Sequence, residues 1–381
     1  TIIPTIQEGI AKVQIVLIER WYTWPVPIFE IAETNFNTWW LSKDFSRLNY
    51  GLFIDRENFR GRKEALRLKF QTGYTSQYAI QYHIPYLNKK QNLGLEATIS
   101  YYKNREIVYG TLDNKRLFYN SYDSPARNEF SSRLVFSYRH GFYNSSFLSL
   151  KFQSASINDT LAMLSEDYFP NNEASTQFFS LSYRFQRDRR DVKAYPLKGY
   201  FFDAEILKLG LGMLNNEPDV LFLKGSASKF WKLRDKWFLA TGIKGKYGFT
   251  TYQPYYVQRG LGYFNENVRG FEYYVIDGQS WGLGRASLKY ELLKPEVYIS
   301  NSFRNNKFNT MHYAFYLNIL ADAGYVDDKL YNKLNPLANQ LLYSTGIGLD
   351  FVSFYDMVLR FEYSVNKLGE KGFFINFTAP L

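Results

Sequence analysis

The sequence predicts an all-β fold, about sixteen antiparallel strands closed into a transmembrane β-barrel with one long loop folded into the lumen. Three observations point there. Apolar residues recur at alternate positions over most of the chain, the period of a strand with two unlike faces. Phe, Tyr and Trp make up 19% of the 381 residues while mean hydropathy stays negative, so apolar surface is plentiful yet never gathered into a helical span of about 20 residues. Connections alternate between tight and long, as in barrels whose two rims face different compartments.

Composition also excludes several functions. Cysteine is absent, which removes disulfides, thiolate metal sites and cysteine nucleophiles together. His83, His140 and His312 are scattered, so no metal or other cofactor is expected. The net charge of +10 comes from 46 basic and 36 acidic residues interleaved singly along strands, a pattern that does not suit nucleic acid. Catalytic signatures such as Gly-x-Ser-x-Gly, a phosphate loop or His-Glu-x-x-His are missing, and no enzyme is expected. Leu209-Gly210-Leu211-Gly212 reads as glycine packing within a strand.

Along the chain, residues 1–26 form a separate small element. Val13 to Arg20 is a short strand running into Trp21-Tyr22-Thr23-Trp24-Pro25-Val26-Pro27, where two prolines are expected to stop a ladder and set an extended connector. The barrel then occupies 27–381. Strands are expected near 28–37, 46–57, 64–74, 77–86, 93–103, 129–140, 144–157, 175–188, 199–212, 220–232, 237–249, 283–294, 312–326, 343–353, 357–366 and 372–379. In one of them Leu66, Leu68 and Phe70 oppose Arg67, Lys69 and Gln71; in another Leu359, Phe361, Tyr363 and Val365 oppose Arg360, Glu362 and Ser364. Lys and Arg in mid-strand on the polar face fit a wet lumen, with lipid against the other face. Long connections near 104–128, 158–174 and 250–282 define one rim. The first strand, with Glu30 and Glu33 on opposite faces, is poorly amphipathic and is expected to pair weakly with the short last one.

One stretch does not repeat its neighbours' chemistry: Asn267 to Gln279, inside the longest connection, with Val268-Arg269-Gly270-Phe271 at its head. Arg269 has two readings, an exposed loop arginine or a luminal one. A guanidinium in a confined, partly dry lumen needs carboxylates. Strand phase supplies Glu291 beside Lys289, and Asp322 beside Asn318, all on the polar face, so Arg269 with Glu291 and Asp322 forms a candidate lumen lock. A second cluster, Asp188, Arg190 and Asp191 followed by Pro196 and Gly199, reads as a salt-bridged turn on the short-turn rim, with partner docking as the alternative.

These residues resemble the outer-membrane β-barrel assembly factor superfamily, the POTRA-barrel insertases. The resemblance covers nearly the whole chain. It rests on Val268-Arg269-Gly270-Phe271 for the loop motif, on Asp188, Arg190, Asp191, Pro196 and Gly199 for the periplasmic turn, and on Gly372, Ile375 and Phe377 for a C-terminal strand signal. By local context Glu291 and Asp322 match the acidic partners of the family's loop arginine, and residues 13–22 look like the closing strand of a periplasmic POTRA repeat. The resemblance implies a bacterial outer-membrane location and a lipid bilayer around the barrel. It implies unfolded outer-membrane protein clients, periplasmic or lipoprotein accessory subunits, and insertion through a lateral seam between first and last strands. An exporter passing a partner protein through the lumen, or a passive plugged channel, uses the same barrel and loop and remains open.

Overall fold

The computed structural model describes residues 2–7, 10–15, 21–121, 124–264, 266–294, 296–298, 310–353 and 357–377. Sixteen strands form one antiparallel sheet: β1 (Thr23–Ile31), β2 (Leu48–Phe59), β3 (Glu64–Gly73), β4 (Thr75–Ile84), β5 (Leu93–Asn104), β6 (Arg127–Arg139), β7 (Asn144–Ile157) and β8 (Ser175–Asp188). They continue as β9 (Gly199–Leu209), β10 (Val220–Arg234), β11 (Trp237–Gly248), β12 (Ser280–Leu293), β13 (Ala314–Asp327), β14 (Leu342–Val352), β15 (Val358–Asn366) and β16 (Lys371–Asn376). Each strand pairs with its neighbour in sequence, which leaves β1 and β16 at the two ends. Ile2–Gln7 and Ile10–Ile15 form a separate hairpin, and residues 16–20 of the expected repeat strand lie outside the described residues.

The faces are inverted relative to a water-soluble sheet. Ile80, Ile99, Phe136, Leu148, Ile206, Ile243, Ile319 and Ile347 are exposed, while Ser131, Lys246, Arg285, Asn318, Asp350, Arg360 and Glu362 are buried. Burying charge while exposing aliphatic side chains is favourable only if the outside is hydrocarbon and the inside holds partners. The sheet is therefore a membrane barrel; among the described residues no helix is long and apolar enough to cross a membrane, and the crossing is made by strands.

Loops follow from local chemistry. Asp235-Lys236 closes β10 onto β11 in two residues, with Lys236 at a positive φ of 65°. On the other rim a hairpin, Glu106–Leu112 with Lys115–Asn120, turns on Asp113-Asn114, both at positive φ as a two-residue hairpin turn requires. It leans on the long loop, where the Val275 amide donates to the Asn114 carbonyl at 2.8 Å.

Four expectations need correction. β1 starts at Thr23, and Pro25 and Pro27 lie inside its ladder with β2. Two residues apart, both prolines turn their missing N–H to the same side, and on a terminal strand that side is the unpaired edge, so no ladder bond is lost. Residues 36–42, the first two of which the sequence pattern places in the first strand, form helix α1 (Phe36–Ser42), capped by Asn35 accepting from the Thr38 amide at 2.9 Å. Gly210 and Gly212 lie beyond β9 at φ of 75° and 72°, as turn residues rather than strand packing. The β12–β13 connection on the short-turn rim is long, and Glu296–Tyr298 pairs with Thr310–His312 within it. The last strand ends at Asn376, and residues 378–381 lie outside the described residues.

Candidate functional site

The long loop between β11 and β12 returns on itself and enters the barrel. Leu261 and Ile276 exchange backbone hydrogen bonds of 2.9 and 2.8 Å, which pins the loop's base. Val268 and Phe271 are buried with Leu261, Ile276, Leu283, Val326 and Leu342, so apolar packing seats the tip against β12, β13 and β14. Gly270 adopts a φ of 87°, a left-handed conformation that glycine takes without a Cβ penalty, and its carbonyl accepts from Asn366 Nδ2 at 2.8 Å.

That turn aims Arg269 at the barrel wall, where its side chain is 1% exposed. Its Nε donates to Asp322 Oδ2 at 2.9 Å and its Nη2 to Asp322 Oδ1, a two-pronged fork that a lysine has no geometry to copy. The Arg269 backbone amide adds a third bond to Asp322 Oδ2 at 3.0 Å. Nη1 donates to Ser287 Oγ and Nη2 to the Ala286 carbonyl, both at 3.1 Å. Asp322 also has Arg285 Nε at 3.5 Å, and Arg285 donates to the Asn267 carbonyl and to Asn267 Oδ1.

Glu291 is not part of this cluster. Ladder register puts Asp322 opposite Arg285, whereas Glu291 pairs opposite Tyr316, six residues further down β12 and about 20 Å away at the usual strand rise. Its carboxylate accepts from Tyr316 Oη at 3.3 Å. The lock as the structure presents it is Arg269 with Asp322, assisted by Arg285 and Ser287. Glu272, three residues past the arginine, is buried in the same region, and burial, then the nearby Glu362 carboxylate, pushes its acid group well above the usual range. Arg285 and Glu362 share the polar phase of their strands, the signal that identifies them once the loop is known to enter.

The turn cluster sits at the opposite end of the lumen. Arg190 forks onto Asp188 through Nε at 2.9 Å and Nη2 at 2.8 Å, and Asp191 Oδ1 accepts from the Val192 and Leu197 amides. Pro196 follows Tyr195, which is buried and donates to Asp350 Oδ2 at 2.7 Å while Arg360 forks onto the same carboxylate. The Lys289 ammonium lies 3.9 Å from the centre of the Tyr195 ring. The turn is thus tied to the barrel floor through Tyr195, a residue with no sequence signal beyond its place between the acid–arginine run and the proline. A luminal cavity of about 510 Å³ opens beside it, lined by Arg190, Lys193, Lys224, Lys244 and Lys289 among others. Among the described residues no three His, Cys, Asp or Glu side chains are grouped to hold a metal ion.

The C-terminal signal residues lie at the seam. Gly372 is the second residue of β16, Ile375 presents its backbone to α1, and Phe377 meets Phe36 edge-on at 5.3 Å.

The chain is similar in fold to the crystal structure of BamA from Haemophilus ducreyi lacking POTRA domains 1–3, with a TM-score of 0.64 at 16% identity over 99% of this chain and 73% of that one. It is also similar in fold to CdiB from Escherichia coli (TM-score 0.58, 14% identity) and CdiB from Acinetobacter baumannii (0.51, 14%). It covers 100% of its own length and 65% of each CdiB chain. No curated protein sequence matches it significantly. The Omp85 superfamily domain matches residues 58–370, from the end of β2 to the turn before β16, and by that match the chain belongs to the Omp85 superfamily of bacterial outer-membrane barrels.

Proposed function

We propose that the protein folds and inserts β-barrel proteins into the outer membrane through the seam between β1 and β16, acting without chemistry or nucleotide. The observation that carries this reading is the state of the two terminal strands. Among the described residues no ladder joins β1 to β16; β1 carries two prolines, and β16 is six residues long. A barrel in lipid ordinarily closes every edge, because unpaired amides in hydrocarbon cost several kcal/mol each, on the order of a lost hydrogen bond with no water to replace it. A barrel that leaves an edge unlaced offers a template on which an incoming strand can pair. In this reading the hairpin at residues 2–15 ends a periplasmic POTRA repeat, unfolded outer-membrane proteins are the clients, and periplasmic or lipoprotein subunits assist.

A second reading, an exporter that passes a partner protein through the lumen, is favoured by the way the Arg269 loop enters the barrel and is held there by a discrete clamp. Crosslinking separates the two. In this cysteine-free chain, a cysteine pair placed across β1 and β16 locks the seam when oxidised. Assembly of an unfolded client should then stop and recover on reduction, whereas export through the lumen should continue. Undiminished assembly with the seam locked rules out the lateral route.

A further inference from the structure

The edge of β16 is occupied by a side chain. Asn37, in α1, is 5% exposed; its Oδ1 accepts from the Ile375 amide at 2.8 Å and its Nδ2 donates to the Ile375 carbonyl at 3.2 Å. Those are the two bonds that a facing residue of an antiparallel neighbour exchanges in a hydrogen-bonded pair. A carboxamide carries the same donor and acceptor as a peptide unit, so Asn37 satisfies the strand edge without being a strand.

The helix is held there from two sides. Phe36 packs edge-on against Phe377, at 5.3 Å between centroids. On the other side the Glu272 carbonyl, three residues beyond Arg269, accepts from Asn35 Nδ2 at 2.7 Å and from Thr38 Oγ1 at 3.2 Å. The same loop touches β16 directly, with the Tyr273 ring 5.5 Å from that of Phe374. The clamped loop, the helix and the last strand are therefore linked in series.

We propose that α1 is a resident substitute for a partner strand: Asn37 fills the Ile375 edge site that an extended client chain takes, and the Arg269 loop holds the helix in place through the Glu272 carbonyl. The proposal rests on the seam reading above, and it adds that the site is closed at rest and must be vacated by α1.

Two measurements test it, both on the full chain in lipid nanodiscs. The first is amide exchange at Ile375. Asn37→Ala, which keeps helix propensity, should speed exchange about tenfold to a hundredfold, the effect of losing hydrogen bonds of ordinary strength. Asn37→Asp, which keeps an acceptor and loses the donor, should fall between. Wild-type exchange in Asn37→Ala overturns the proposal.

The second measurement uses a Phe36→Cys, Phe377→Cys variant bridged with dibromobimane, compared with the same variant unbridged, and an unfolded eight-stranded outer-membrane barrel as client. Bridging should slow assembly about tenfold or more, in line with the exchange effect. Full-rate assembly by the bridged chain, where a direct β1–β16 disulfide stops it, overturns the role of α1 and leaves the seam reading standing. If neither lock slows assembly, both fall.

Discussion

Replacing Arg269 by alanine removes the guanidinium that forks onto Asp322 and leaves that carboxylate, 1% exposed, inside the barrel. Breaking a buried ion pair by deleting one partner costs about 3–5 kcal/mol, most of it the uncompensated charge left behind. Arg285 at 3.5 Å still faces Asp322, and the Arg269 backbone amide bond can persist, so the lower end, about 3 kcal/mol, applies. At about 1.4 kcal/mol per decade, the ratio of seated to unseated loop falls about a hundredfold. The assay uses Val275→Cys, a buried loop position in a chain with no other thiol, and reads the rate of maleimide labelling. Labelling should accelerate about a hundredfold in the Arg269→Ala background, and Arg269→Lys should recover only part of the protection because an ammonium cannot fork. Asp322→Ala should be at least as damaging, since it leaves two arginines facing each other. The double variant should cost far less than the sum of the singles, with a coupling of about 2–3 kcal/mol. Wild-type labelling in Arg269→Ala, or strict additivity of the two changes, refutes the clamp.

Three further outcomes follow from the same geometry. Glu272 has a raised pKa in the folded chain, so its seating contribution is fully present below the ordinary glutamate value of about 4.5 and is lost as pH rises through the raised value. Melting temperature should therefore fall with rising pH in that window, and Glu272→Gln should flatten the slope and stabilise the protein at neutral pH; identical slopes contradict the assignment. Tyr195→Phe removes a buried donor to Asp350 and should cost about 1.5–3 kcal/mol in denaturant unfolding, while the Arg360 fork keeps the carboxylate paired. Gly199→Ala should impair folding more than any exposed turn substitution, because φ is 99° and the added Cβ would sit 2.0 Å from the Arg189 carbonyl oxygen; unaltered expression and heat stability would argue against that strain.

The strand pattern was legible because lipid and lumen impose opposite chemistry on alternating residues, so Leu317 and Ile319 versus Asn318 and Asp322 sort themselves by face. Phase fixes a face and not a height. Glu291 and Asp322 share the polar face, and only the ladder register, with Arg285 opposite Asp322, tells which of them the loop arginine can reach. Pro25 and Pro27 were misleading for a related reason: the rule that prolines end a ladder holds for a strand paired on both sides, and which strand is terminal is a property of the whole sheet. Asn37 carries no local signal for its role at all. Its partner is 338 residues away, and the contact exists because the two ends of the sheet come together at the seam.

Relative magnitudes decide which part of this assembly yields first. The contact between α1 and β16 consists of two neutral hydrogen bonds, each worth about 0.5–1.5 kcal/mol, and one aromatic pair worth a similar amount. The loop is held by a buried clamp of charge-assisted hydrogen bonds from Arg269 to Asp322, Ser287 and the Ala286 carbonyl, each worth about 1.5–3 kcal/mol, and in addition by the packing of Val268 and Phe271 in a buried apolar cluster. Even with the Asn35 and Thr38 bonds to the Glu272 carbonyl counted, freeing the strand edge breaks only neutral contacts and is the cheaper event, and it does not require the loop to leave the lumen, since α1 can release Ile375 while Arg269 stays on Asp322. The luminal route requires the loop to move, and so has to break the stronger set. Thermal opening of the molecule is then weighted toward the seam, and a client strand that replaces both Asn37 bonds and extends the pairing along β16 gains on each added residue, whereas a chain entering the lumen must first compensate for Asp322.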